Sequence, residues 1–106
     1  MEPAEVTSEI ENIVEQLVRK YQPLKIILFG SAGRGEYDNL DDLDFLIVKD
    51  DVPPYGLDRM RELDELIERN MASDMLVYRP DELDDRVRLG DPFIKTILRE
   101  GRVLYG

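Results

Sequence analysis

The fold is decided by two segments, Ile26-Ile27-Leu28-Phe29-Gly30-Ser31 and, shortly after it, Asp42-Leu43-Asp44-Phe45-Leu46-Ile47-Val48. Each contains an apolar run with the length of a buried strand. A strand that ends in glycine and serine can turn sharply into a helix, and the turn leaves backbone N–H groups and a hydroxyl free to bind an anion. The sequence therefore predicts an anion-binding turn between two buried strands.

Two aspartates open the second of these strands. Asp42 and Asp44 are spaced i, i+2, so their side chains point to the same face, with Cα atoms about 6.7 Å apart. Two carboxylates at this separation can hold one or two Mg²⁺ ions. In an aspartate-rich chain the same pattern is also typical of a solvated loop that runs into a strand.

The remaining apolar periodicity predicts further helices and strands. An amphipathic helix is expected from about residue 5 to 20, and a second long helix carries an apolar stripe from Leu57 to Met71. Asp91-Pro92 predicts the start of a third helix and Gly101 its end. Strands are predicted at 25–29, 42–49, 74–78 (stopped by Pro80) and, as an edge strand, 102–105. This order indicates an α/β domain with a small sheet covered by helices.

Length and charge limit the function. The 106 residues predict a single domain, residues 1–106. The net charge of −10, from 24 acidic and 14 basic residues, disfavours binding of free nucleic acid, since that affinity comes chiefly from lysine and arginine. Residues 79–106 hold six of each sign, which makes this quarter the better place for anion contacts.

Composition excludes several kinds of site. The chain has no cysteine and no histidine, which excludes disulfides, thiolate zinc sites and imidazole catalysis. The glycines fit neither the Rossmann nor the P-loop pattern, and the aspartates do not fit an EF-hand. No apolar run approaches the length of a membrane span, and the acidic N-terminus is unlike a signal peptide, so a cytoplasmic protein is expected.

A family resemblance rests on the two opening segments. Phe29-Gly30-Ser31-Ala32-Gly33-Arg34-Gly35-Glu36, followed by Asp42-Leu43-Asp44 and an apolar strand, resembles the signature of the polymerase-beta-like nucleotidyltransferase superfamily. The minimal nucleotidyltransferase (MNT) proteins are the closest match, and the tail Phe93–Tyr105 is similar to the end of many stand-alone MNT chains. The resemblance implies the polymerase-beta-like nucleotidyltransferase fold, with a small mixed sheet covered by helices.

The resemblance also implies roles for the turn. Gly30 and Ser31 would grip the triphosphate of the nucleotide, with ATP as the expected substrate. Arg34 would either contact phosphate or cover the turn. On its residues alone, Gly30-Ser31 is more often an ordinary strand-to-helix turn in which Ser31 caps the helix.

In the family the paired acids bind Mg²⁺ or Mn²⁺ together with a third acid on a later strand. Here Asp42 and Asp44 would be the pair, and the best local match for the third acid is Asp74, which opens the next apolar strand. The three would be both metal ligands and catalytic residues. The alternative for Asp74 is an exposed acid at a helix-to-strand junction.

The implied activity is transfer of a nucleoside monophosphate, AMP from ATP, to a hydroxyl acceptor. Stand-alone MNT proteins resemble antitoxins that adenylylate a tyrosine of a HEPN toxin partner, so a HEPN-domain protein is the expected acceptor. Larger relatives carry an additional helical domain, and a partner or a homo-oligomer would complete the site here. Two alternatives are a weak or inactive module that binds nucleotide or masks its partner, and a small-molecule nucleotidylyltransferase.

The chain departs from the family pattern at two positions. Relatives often carry arginine directly after the serine, where this chain has Ala32, and many have serine before the first aspartate, where it has Asp41. By the resemblance, the first departure would remove a phosphate contact, and the second would add negative charge beside the expected metal ligands. Both bear on the catalytic rate.

Overall fold

The computed structural model describes residues 1–106. Its helices and strands are α1 (Pro3–Gln16), continued by a π-helical segment (Leu17–Tyr21), β1 (Lys25–Phe29), α2 (Gly30–Gly33), β2 (Asp42–Val48), α3 (Gly56–Leu66), β3 (Ala72–Tyr78), α4 (Pro80–Arg88), α5 (Pro92–Glu100) and β4 (Arg102–Tyr105). None of the helices combines the length and the apolar character that crossing a bilayer would require.

The four strands form one mixed sheet in the spatial order β3-β2-β1-β4. β1 is antiparallel to both β2 and β4, whereas β2 and β3 are parallel. A parallel pair needs a crossover connection, which α3 supplies. The predicted fold, a small mixed sheet covered by helices with residues 102–105 at its edge, is confirmed.

Strand β2 is buried on both faces, as its uninterrupted apolar sequence predicts. Phe45 and Ile47 point into the larger core cluster, beneath α1 and α3. Leu46 points to the opposite face and packs with Ile94 and Ile97 of α5. Burial of each such side chain stabilises the fold by about 1.5–3 kcal/mol, so β2 is the strand that holds the two layers together.

Helix α3 is shorter than its apolar stripe predicts. It ends at Leu66, although Ile67 and Met71 remain buried in the core. The backbone of Glu68 bonds instead to a side chain of α1: its N–H donates to Gln16 Oε1 at 2.8 Å, and Gln16 Nε2 donates to its carbonyl at 2.7 Å. Because these bonds satisfy backbone groups that a helix would otherwise pair, the chain can leave the helix there.

Helix α4 is absent from the prediction, in which Pro80 only ends a strand. The nine residues of α4 contain only two aliphatic side chains, Leu83 and Val87, and neither is fully buried, so apolar periodicity is a weak signal here. Its start does carry a local signal, with proline at the first helical position and acids directly after it. The Arg79 N–H donates to Glu82 Oε1 at 2.7 Å, which satisfies a free donor at this end.

Candidate active site

The parallel pairing of β2 and β3 brings the three predicted acids together. Asp42 lies opposite Ala72 and Asp44 lies opposite Asp74, so all three carboxylates project from the same face of the sheet. One oxygen of each carboxylate lies within 4.8 Å of the corresponding oxygens of the other two. We call Asp42, Asp44 and Asp74 the acidic trio.

No protein cation neutralises the acidic trio. None of the salt bridges of the molecule includes one of its members. Two unit negative charges at this separation repel by about 3 kcal/mol at an effective dielectric constant near 20. Partial burial raises the pKa of Asp44, and the nearby charges of Asp42 and Asp74 raise it further.

The donor set of the acidic trio suits a hard divalent cation. Mg²⁺ and Mn²⁺ bind carboxylate oxygen, and Mg²⁺ usually keeps several of its waters, which requires open space around the ligands. Asp42 and Asp74 are exposed and Asp44 is half-buried. The trio therefore offers converging oxygens on one side and access from solvent on the other.

Gly30 fits closely against the acidic trio. Its φ of +67° lies in the left-handed region, and a Cβ atom at this position would stand 2.5 Å from Asp44 Oδ2. Any other residue would strain the backbone and displace the carboxylate. Glycine thus allows α2 to begin directly beside Asp44, and Ser31 follows with its side chain partly exposed.

Arg34 lies across the turn that α2 makes. Its Nε donates to Glu36 Oε2 at 2.5 Å, and its Nη2 donates to Ser31 Oγ at 3.5 Å. The hydrogen bond and charge of Glu36 raise the pKa of the guanidinium, so this exposed group stays charged. In this conformation Arg34 covers the turn, at a position next to any anion bound at Ser31.

Comparison with known proteins identifies the family to which this site belongs. The family described as a nucleotidyltransferase domain matches residues 9–105, which include α2 and the whole acidic trio. The chain belongs to the nucleotidyltransferase domain family. It is 35% identical over 98 residues to a protein of Methanocaldococcus jannaschii named a putative protein adenylyltransferase, a match that covers 91% of this chain and 94% of the relative. No solved structure gives a significant match.

The family match confirms the enzyme class and the resemblance to minimal nucleotidyltransferases. A nucleotidyltransferase takes a nucleotide substrate, and enzymes of this family generally use a divalent metal ion. The acidic trio is the cluster of this chain with the right ligands for such an ion.

The two departures from the family pattern occupy different surroundings in this nucleotidyltransferase. The Ala32 side chain is buried in the large core cluster, where it contacts apolar neighbours. Asp41 is exposed and directly precedes β2. The first position therefore faces the interior, whereas the second adds a solvated charge next to Asp42.

Two aromatic residues beside the acidic trio have no role in the sequence-based interpretation. Phe29, the last residue of β1, lies opposite Asp44 in the antiparallel register. The ring of Phe93 packs edge-on against that of Phe29, with centroids 5.9 Å apart. Strand register places Phe29 opposite Asp44, and the packing of α5 on the sheet brings Phe93 to Phe29, so local sequence specifies neither arrangement.

Proposed function

We propose that this nucleotidyltransferase transfers AMP from ATP to a hydroxyl group, and that its acceptor is a tyrosine of a HEPN-domain partner protein. The observation that carries the proposal is the convergence of three unpaired carboxylates beside the turn at Gly30 and Ser31. The name of the Methanocaldococcus jannaschii relative supports a protein acceptor and the adenylyl group. The resemblance to MNT antitoxins supports the HEPN partner.

Asp42, Asp44 and Asp74 would hold the divalent ions of the reaction. When bound, such ions offset the charge of the triphosphate and lower the pKa of the acceptor hydroxyl. The three carboxylates supply ligands of the right type, and their mutual repulsion in the absence of a cation favours binding.

The turn at the start of α2 would hold the phosphates. The first backbone N–H groups of a helix have no acceptor within the helix, so those of α2 are available to phosphate oxygens, as is the hydroxyl of Ser31. Arg34 can add a positive charge by turning from Glu36 toward the bound phosphate. These contacts would orient the α-phosphorus for in-line attack.

Asp74 would accept the proton of the acceptor. In the transfer, the acceptor oxygen forms a bond to the α-phosphorus of ATP, the bond from that phosphorus to the bridging oxygen breaks, and pyrophosphate leaves. The proton of the hydroxyl passes to a carboxylate oxygen of Asp74, which is exposed on the same face as Asp44.

Incubation with labelled ATP, Mg²⁺ and the protein encoded by the neighbouring gene tests this proposal. We expect label on a tyrosine of that protein, and a loss of more than about 100-fold in rate with Asp44→Ala, because even residues behind the metal ligands contribute 10- to 100-fold. The matched control is Asp84→Ala, which removes an exposed carboxylate of α4 that makes no ion pair. This control should transfer label at the wild-type rate.

Two outcomes would contradict the proposal. Equal transfer by the wild type and Asp44→Ala would remove the acidic trio from the reaction. A tight complex with the partner that forms in both proteins, without any transfer of label, would instead support a module that masks its partner.

A further inference from the structure

A large aromatic side chain stands half in solvent on the face of the sheet that carries the acidic trio. Phe93, in the first turn of α5, is 51% exposed. Its backbone is fixed by the helix cap, since the Asp91 carboxylate accepts hydrogen bonds from the N–H of Phe93 at 2.9 Å and of Ile94 at 3.3 Å. The ring therefore has a defined position, although much of its surface is not covered by protein.

Strand register connects this ring with the carboxylates. Phe29 on β1 lies opposite Asp44 on β2, which lies opposite Asp74 on β3. Residues opposite one another on neighbouring strands share a face and are about 5 Å apart. The ring of Phe93 packs against that of Phe29 with an interplanar angle of 84° and centroids 5.9 Å apart, so a single aromatic contact connects it to the residue opposite Asp44.

The chemistry of the exposed ring suits a nucleobase. Bases stack on aromatic faces in nucleotide-binding sites, and the interaction tolerates any base because every base has a π-face. The edge-on contact with Phe29 holds the ring of Phe93 by its packing. Leu89, which is 77% exposed, is aliphatic, and the exposed rings of Tyr55 and Tyr105 form no aromatic pair with Phe29.

We propose that Phe93, held by Phe29, is the platform on which the base of the nucleotide stacks while its phosphates lie at the acidic trio. This inference rests on the proposed function, because it assumes that a nucleoside triphosphate binds at the trio. Stacking alone selects weakly among bases. ATP and GTP should therefore bind with affinities that differ by less than about tenfold.

The affinities for a ligand with a base and for one without a base, compared between variants, test whether Phe93 is the platform. The dissociation constants of Mg²⁺-ATP and Mg²⁺-tripolyphosphate are measured for the wild type, Phe93→Ala and Phe93→Leu. We expect both variants to bind ATP more weakly, by about 10- to 100-fold for Phe93→Ala. Tripolyphosphate should bind all three proteins equally. Phe93→Tyr should bind ATP like the wild type.

Two controls separate stacking from packing. Leu89→Ala removes an exposed apolar side chain away from the trio and should leave both dissociation constants unchanged. Phe93→Leu keeps an apolar contact with Phe29 and removes only the aromatic face, so it remains informative if Phe93→Ala does not fold. Wild-type ATP affinity in Phe93→Leu, or an equal loss of ATP and tripolyphosphate affinity, would overturn the platform alone. Failure of the wild type to bind either ligand would overturn the proposed function as well.

Discussion

Two clusters of charged side chains at opposite ends of this sheet are built on different principles. At one end, the buried guanidinium of Arg59 donates to both carboxylate oxygens of Glu82, at 2.7 and 3.1 Å, and to the carbonyls of Pro53 and Val77. At the other end, the acidic trio has no cationic partner. The first cluster satisfies its charges within the protein, whereas the second needs a cation from solution.

This difference separates structural charge from functional charge. A buried ion pair with its hydrogen bonds complete connects chain segments: Arg59 connects α3 to the loop before it, to the end of β3 and to α4. Like charges brought together without a partner cost stability, and proteins keep such arrangements at sites that bind ions or react. The lack of a cationic partner at the acidic trio therefore favours an ion-binding role over a structural one.

The largest expected change in stability is at the cluster formed by Arg59 and Glu82, here called the paired cluster. Arg59→Met should lower the free energy of unfolding by about 3–5 kcal/mol, because it leaves the carbonyls of Pro53 and Val77 without this donor and removes the buried cation paired with Glu82. Urea denaturation followed by circular dichroism measures the change. Arg61→Met, which removes an exposed arginine of the same helix, should change it by less than about 0.5 kcal/mol. A similar, small loss in both variants would show that the cluster is not structural.

Acid should weaken the paired cluster in a defined range of pH. The hydrogen bond from Arg59 lowers the pKa of Glu82 from 4.5 to about 2. Since the folded-state pKa is depressed, the stabilisation is complete above about pH 4.5 and is lost as the pH falls toward 2.

Glu82→Gln isolates this contribution. The variant should be less stable than the wild type by about 2 kcal/mol at neutral pH. This loss is smaller than the free energy that corresponds to the whole pKa shift, because Glu82 is partly exposed. The difference should shrink toward zero near pH 2. A difference that stays constant from pH 7 to pH 2 would contradict the ionic origin of the effect.

A smaller effect of opposite sign is expected in the acidic trio. Without divalent ions, Asp44→Asn should raise the free energy of unfolding by about 1 kcal/mol at neutral pH, because it removes a half-buried charge between two like charges. For a chain of this size the thermal midpoint should rise by about 4–8 °C. Calorimetry with EDTA present measures the midpoint. A midpoint of Asp44→Asn below that of the wild type would show that Asp44 has a stabilising partner.

Much of this architecture could be predicted because its signals are local. The apolar runs of β1 and β2, the glycine-serine turn and the proline and glycine that bound α5 each lie within a few residues of the structure they determine. Asp74 could be proposed as the third acid only through the family resemblance. Its position opposite Asp44 depends on a parallel register that the crossover through α3 sets.

Features that depend on distant partners could not be predicted. The end of α3 is fixed by Gln16, which is remote in sequence from Glu68. Helix α4 has only two aliphatic side chains, neither of them fully buried, so the apolar periodicity that identifies a helix is weak. The aromatic row formed by Phe29 and Phe93 exists only once β1, β2 and α5 have been assembled.

Metal binding by the acidic trio is tested by the thermal midpoint with and without Mg²⁺, measured for the wild type, Asp44→Asn and Asp84→Asn. At a free Mg²⁺ concentration ten times the dissociation constant, binding to the folded state should stabilise the wild type and Asp84→Asn by about 1.4 kcal/mol, which is several degrees. Asp44→Asn should melt at one temperature whether or not Mg²⁺ is present. If Mg²⁺ leaves the wild type unchanged, or stabilises all three proteins equally, the acidic trio is not a metal site.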